Sequence, residues 1–265
     1  SSCSPTRPPD WDAFMAKILV PLPSRDFDPT ETGVPWRILT ERTHELVFAT
    51  PDGQPGEADP LMVTGNGLGL LAPFLRANAD GQEAYAAMRG CAAFRAPITY
   101  DAIRLEDFDA LLLPGGHAKG MRPYLESPVL QAHVASFFAI AKPVGAICHG
   151  VLLAARSQTR WGKSVLNARK TTGLTRRMEM TAWTLTMLYL GDYYRTYPTP
   201  LEDEVRAALA HPEDFSAGPG SFAGDSMAHP EIGFTVRDGN YLSARWPGDA
   251  HRFAIEFDAM VRERA

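Results

Sequence analysis

The stretch KPVGAICHGVLLAARS, residues 142–157, sets a cysteine beside a histidine between two apolar runs. PVGAI reads as a short buried strand and GVLLAAR as a helix, which puts Cys148 at the turn between them. A nucleophile raised at such a turn needs a sharp backbone reversal. Small residues two positions to either side let strand and helix pass, and Ala146 and Gly150 stand there. At a helix N-terminus, unpaired N–H groups and the dipole favour a thiolate over a thiol. Two readings fit Cys148: a nucleophile, or one more small buried hydrophobe, since free Cys is among the most buried residue types. His149 by itself reads more readily as a structural residue or a helix N-terminal donor than as a base, because sequence neighbours on a helix do not face each other.

Working outward, AKILVPL and HELVFATPDG are short apolar runs closed by Pro or turn residues, and TETGVPWRILTERT between them has Trp36, Ile38 and Leu39 at helical spacing. FDALLLPGG repeats the strand-then-glycine pattern. SPVLQAHVASFFAIAK opens on Ser127 as N-cap and Pro128 at the first helical position. Strands alternating with helices imply crossover connections, a mostly parallel sheet covered on both faces, and a ligand site at the carboxyl ends of the strands. GFTVRDGNYLSAR predicts a hairpin turned at Asp238 and Gly239, and DAHRFAIEFDAMVRER a closing amphipathic helix. Residues 61–100 show helical pieces without a clear strand and read as an inserted cap or lid. Residues 1–15 read as a flexible tail and 16–265 as one α/β domain.

The 265 residues are 45% hydrophobic and 22% charged with a net charge of −5, enough for a large core and without the basic stripe that nucleic acid requires. No apolar run reaches the roughly 18–20 residues that span a bilayer, so no membrane partner is expected. Three scattered cysteines, Cys3, Cys91 and Cys148, lack metal-ligand spacing and suggest a reducing, cytoplasmic setting. Cys91 reads as a packing residue and Cys3 as an incidental thiol. The aromatic run GDYYRTYP reads as packing in preference to a pocket wall.

Three ordered motifs, TETGVPWRILTERTHELVFATPDG, ALLLPGGHA and PVGAICHG, resemble the ThiJ/PfpI superfamily, relatives of class I glutamine amidotransferase domains. The resemblance is closest to the branch holding cofactor-independent glyoxalase III enzymes and heat-inducible holding chaperones. It implies a flavodoxin-like three-layer sandwich with a nucleophile elbow, and a homodimer. It also implies that Cys148 is the nucleophile, that His149 completes the pair, and that Glu31 points its carboxyl at the sulfur. A carboxylate and a thiolate in contact cannot both be comfortably ionised, so Glu31 is expected to hold a proton and donate it to sulfur; an acid in a first helical turn is also an ordinary feature. Glu179 matches the family residue that orients the histidine, although Arg176 and Arg177 equally suit it to a surface ion pair. Gly115, Gly116 and His117 form the loop expected to bind substrate, with the backbone of Gly116 and His149 as oxyanion donors.

The activity so implied is conversion of methylglyoxal or glyoxal to the 2-hydroxy acid: Cys148 adds to the aldehyde, His149 moves a proton through an enediol, and water releases the product without glutathione, metal or other cofactor. The alternatives are a holding chaperone for unfolded clients in a stress response, and a hydrolase of amides or peptides using the same cysteine. A glutamine amidotransferase would use a distant histidine in HPE, a motif present at His211–Glu213 and His229–Glu231.

Overall fold

The computed structural model describes residues 14–69 and 72–264; Cys3 and nearly all of the expected tail lie outside the described residues. The run KILVP forms β1 (Lys17–Pro21), followed by a short β2 (Arg25–Phe27). Helix α1 (Pro29–Glu41) starts on Asp28, whose Oδ1 accepts the N–H groups of Thr30 (2.7 Å) and Glu31 (2.9 Å). Pro29 occupies a first-turn position that needs no donor. β3 (Glu45–Thr50) returns to the sheet, while β4 (Glu57–Ala58) pairs with β2 as a separate two-stranded ribbon.

The segment expected as a strandless insertion divides in two. Helix α2 (Pro60–Thr64) touches the main core through Val63, but its Met62 packs with Leu68 and Tyr194 in a small apolar cluster of their own, against which α3 (Ala72–Leu75) lays Ala72 and Leu75. Helices α4 (Ala79–Gly90) and α5 (Ala92–Arg95) and strand β5 (Ile98–Thr99) instead join the body of the fold. β5 pairs in parallel with β3 through Ala49–Ile98 and Thr50–Thr99, and α4 lies so close to α1 that a Cβ on Gly33 would sit 2.8 Å from the Tyr85 nitrogen. A two-residue strand carries no periodicity, so the sequence pattern could not announce it.

β6 (Ala110–Leu113) leads through α6 (Arg122–Leu125) to α7 (Pro128–Ala139), where Ser127 Oγ accepts the Leu130 N–H as expected (3.2 Å). β7 (Val144–Ile147) runs into α8 (His149–Arg156). After α9 (Arg176–Leu190) and α10 (Leu201–Ala208), strands β8 (Thr235–Asp238) and β9 (Tyr241–Ala244) form the hairpin, with Gly239 at φ +60°, and α11 (Ala250–Arg262) ends the described chain.

The seven-stranded sheet has the order β5-β3-β1-β6-β7-β9-β8 and is parallel apart from β8. β6 and β7 are buried along their whole length, as a sheet covered on both faces requires. α1 and α11 pack together on one side and α7 and α8 on the other, giving the expected flavodoxin-like sandwich. From β1 the chain first moves outward to β3 and β5, then crosses back to β6. The carboxyl ends of β1 and β6 therefore diverge at a topological switch point, where such sheets hold their ligands. Among the described residues no helix is long and apolar enough to cross a membrane.

Candidate functional site

Cys148 stands at the carboxyl end of β7, one strand from the switch point, with φ +54° and ψ −122°, a conformation that L side chains rarely adopt. Its N–H is tied to Ala244 O (3.1 Å) on the neighbouring strand, which fixes the reversal. Because Cys148 is not helical, the rule that sequence neighbours diverge on a helix does not apply to it. The His149 ring folds back, and its Nδ1 lies 3.5 Å from Cys148 Sγ. The loop after β6 meets this elbow edge-on. A Cβ on Gly115 would fall 2.6 Å from His149 N, 2.7 Å from Glu31 Oε2 and 2.8 Å from Cys148 Cβ, so only glycine allows the three to converge. Gly116, at φ +151°, would press a Cβ to 2.6 Å from Asp26 O, and among the described residues no group accepts its N–H.

Glu31, in the first turn of α1, is wholly buried. Its Oε2 accepts the Gly115 N–H (3.1 Å), while Oε1 has no hydrogen-bond partner. Burial, reinforced by the neighbouring Asp28 charge, raises its pKa well above the usual carboxylate range. Cys148 is 1% exposed, and burial together with the nearby Glu31 and Asp28 charges pushes the thiol up as well. This corrects the expectation of a thiolate held by the helix terminus: a terminal dipole is worth about 0.3–2 kcal/mol, less than the cost of an uncompensated buried anion. The pair titrates as one unit in which the second ionisation is opposed by the first. Burial also lowers the pKa of His149 well below its normal range and that of His117 to about 4, so both rings are neutral at pH 7.

His117 stacks against His149 (centroids 6.3 Å apart, planes at 10°) and against Tyr194 (4.7 Å). The sequence thus brings Cys148, His149, Glu31, Gly115, Gly116 and His117 to one place. Glu179 behaves differently. The chain after α8 forms a loop with isolated bridges, and Glu179 falls in the first turn of α9. Its buried Oε2 accepts the Leu201 N–H at the start of α10 (2.9 Å), and burial raises its pKa to about 7. Among the described residues no hydrogen bond joins it to His149. The surface ion pair fails too: Arg176 pairs with Asp203 (3.0 Å) and Arg177 lies over Phe222. Both HPE histidines are exposed turn residues, each facing the glutamate two positions on, and neither approaches Cys148. Cys91 is half-buried, and its sulfur accepts the Phe94 N–H (3.4 Å).

Asp28 and Asp59 escaped the sequence reading, as did the place of Tyr193 and Tyr194 at the site. Asp28 and Asp59 are both buried, and Tyr193 donates to Asp59 Oδ1 (3.0 Å) while Tyr194 is 2% exposed. The aromatic run therefore packs, as expected, but also lines the site. A signal existed: each aspartate is followed by proline, Asp28-Pro29 and Asp59-Pro60, the start of a helix written twice. No group of His, Cys, Asp or Glu among the described residues is arranged to hold a metal ion.

The ThiJ/PfpI family-like model matches residues 22–219. A deglycase of Pyrococcus horikoshii is 27% identical over 203 residues, covering 73% of this chain and 91% of its own. Among solved structures, the 24 kDa rapid encystment protein of Francisella tularensis aligns with a TM-score of 0.67 at 16% identity, over 93% of this chain and 99% of its own. Glyoxalase III of Candida albicans aligns at 0.60 and 17% identity, over 92% and 97%. These structural likenesses concern the fold, and the family match takes in the elbow, the Gly115–Gly116 loop and the Glu31 helix together: the chain belongs to the ThiJ/PfpI-like family.

Proposed function

We propose that the protein is a cysteine-dependent enzyme acting on small reactive carbonyl compounds, with methylglyoxal or glyoxal converted to the 2-hydroxy acid as the reaction favoured. The observation that carries this reading is the convergence of a strained elbow cysteine, a buried carboxyl that keeps its proton, a neutral imidazole 3.5 Å from the sulfur, and a glycine loop with an unclaimed N–H. The names of the deglycase and glyoxalase III relatives point the same way.

In the proposed sequence the Cys148 sulfur bonds the aldehyde carbon, and its proton passes to the carbonyl oxygen to give a hemithioacetal. The Gly116 and His149 N–H groups steady the oxygen as it gains charge. Neutral His149 removes the C–H proton, an enediol forms, and return of the proton to the adjacent carbon leaves a thioester and a new alcohol. Water then cleaves the S–C bond, restoring the thiol. One carbon is oxidised and its neighbour reduced, so no external oxidant is consumed. Glu31, protonated, donates to the sulfur while it is anionic. The test is methylglyoxal consumption together with lactate formation. The native protein should exceed a Cys148→Ser variant by at least about 100-fold, and equal rates would end the proposal.

A second reading, holding of unfolded clients, is favoured by the face of α9, where Leu188 is 90% exposed beside half-exposed Leu185 and Tyr189. Suppression of client aggregation that persists in Cys148→Ser and disappears in Leu185→Ser/Leu188→Ser would support it.

A further inference from the structure

The two aspartate caps share an unusual feature. Asp28 Oδ1 is taken up by Thr30 and Glu31, and Asp59 Oδ1 by the Leu61 N–H (2.9 Å) and the Tyr193 hydroxyl. The second oxygen of each, Oδ2, is buried with no partner, and so is the Tyr194 hydroxyl. Ser or Asn would cap either helix equally well without stranding a carboxylate oxygen, so capping does not explain the choice of aspartate. The two groups lie together: Asp59 N bonds Phe27 O (2.9 Å), next to Asp28, and Asp28 N bonds Gly115 O (2.8 Å) in the substrate loop. Among the described residues no Lys, Arg or His forms an ion pair with Asp28, Asp59 or Glu31. His117 and Tyr193 are half-buried, whereas Tyr194 is 2% exposed. A buried polar group without a partner costs stability, and here two carboxylate oxygens and a hydroxyl are near enough for the Asp59 charge to bear on Asp28 and for both to bear on Tyr194, which implies a ligand that brings donors and positive charge.

We propose that Asp28 Oδ2, Asp59 Oδ2 and the Tyr194 hydroxyl form a subsite for a primary ammonium group, so that the substrate is a short amino-carbonyl compound, its carbonyl at Cys148 and its ammonium between the two aspartates. The identity of the reacting end rests on the carbonyl reading above; the ammonium subsite does not. An ammonium has three N–H donors, one for each orphaned oxygen, and once both carboxyls have released their protons its charge supplies the missing counter-ion.

The test uses a protein with Cys3→Ser and Cys91→Ser, leaving Cys148 as its sole thiol. Rates of its modification are compared for 2-aminoethyl methanethiosulfonate and its neutral isostere 2-hydroxyethyl methanethiosulfonate; in both, sulfur displaces sulfinate to form a mixed disulfide. Relative to N-acetylcysteine, the protein should favour the ammonium reagent by about tenfold or more, and Asp28→Asn or Asp59→Asn, which keep the caps, should bring the ratio close to that of the free thiol. Tyr194→Phe, which removes only a hydroxyl, should lower it by about threefold. A ratio no higher than that of N-acetylcysteine, or one unchanged in both Asn variants, overturns the proposal. Should Cys148 react with neither reagent, the carbonyl reading fails, and the subsite is judged by melting: ethylammonium chloride must raise the midpoint above an equal concentration of sodium chloride in the parent but not in Asp28→Asn/Asp59→Asn. Equal midpoints in the parent would overturn it.

Discussion

Cys148 and Glu31 are best understood as two acids sharing one buried space. The Glu31 charge is among the causes that hold the thiol up, so its removal has a definite sign. In Glu31→Gln the amide keeps the shape but never carries a negative charge, and the midpoint of iodoacetamide reaction against pH should move down from its native value, which itself lies above the ordinary thiol value of about 8.5. Carbonyl turnover should nevertheless fall, by about 10–100-fold, because an amide is a weaker donor to the sulfur than a protonated carboxyl. A midpoint that stays or rises in the variant would refute this account of the pair. The identities of Cys148, His149 and Glu31 were legible in the sequence, but their ionisation was not, because a pKa depends on burial and on charges brought in from other segments.

At the scale of elements, the crossing of α8 over the end of β6 is the tightest joint near the site. A Cβ on Gly150 would lie 2.0 Å from the Leu113 carbonyl oxygen and 3.0 Å from that of Pro114, both backbone atoms that cannot rotate away. Gly150→Ala is therefore expected to destabilise by about 3 kcal/mol or more, or to leave the protein insoluble. Gly90→Ala, at the end of α4 with no atom within 4 Å of the added methyl, should be neutral or stabilising by up to about 1 kcal/mol. Urea unfolding of the pair checks both, and equal stabilities would contradict the close crossing. The glycine two positions after the cysteine could be read from the sequence as a packing requirement. The placement of Glu179 could not, since it turns on whether residues 157–175 form a strand or, as found, a loop that delivers the carboxyl to α10.

For the molecule as a whole, the buried ionisable groups set an asymmetric response to pH. Burial raises Asp28 to about 7, Asp59 to about 6 and Glu179 to about 7, so the folded protein holds these protons after the unfolded chain has released them. Stability is lost as pH rises from about 4 to about 7. The pKa of His251, bonded to Asp225 (2.9 Å) and Asp80 (2.7 Å), is raised despite burial by those two carboxylates, and its contribution is also lost as pH climbs through that raised value. In the other direction, the buried neutral rings of His117 and His149 cost stability as pH falls below about 6.5, where the unfolded chain takes up protons that the folded one refuses. Asp80 and Asp258, held below their normal range by Arg37 and His251 and by His44 and Arg42, lose their stabilisation as pH falls further. Because the two histidines oppose the raised carboxyls, the aspartates are read by difference: the midpoint near pH 5 minus that at pH 8 should fall by about 2–6 °C in Asp28→Asn/Asp59→Asn. Calorimetry of parent and variant at the two pH values tests this; a difference unchanged in the variant, or larger, would reverse the assignment.

The sequence by itself determined the alternation of strands and helices, the elbow with its cysteine and histidine, and the helix that carries Glu31, because each is written in residues within one turn or one strand of each other. Only the tertiary structure decided that the thiol stays protonated, that Glu179 serves α10, that Asp28 bears on Cys148, and that Asp59 meets the two tyrosines. Those outcomes depend on which distant segments exclude water from a shared volume, and no local pattern encodes how much solvent a charge will lose.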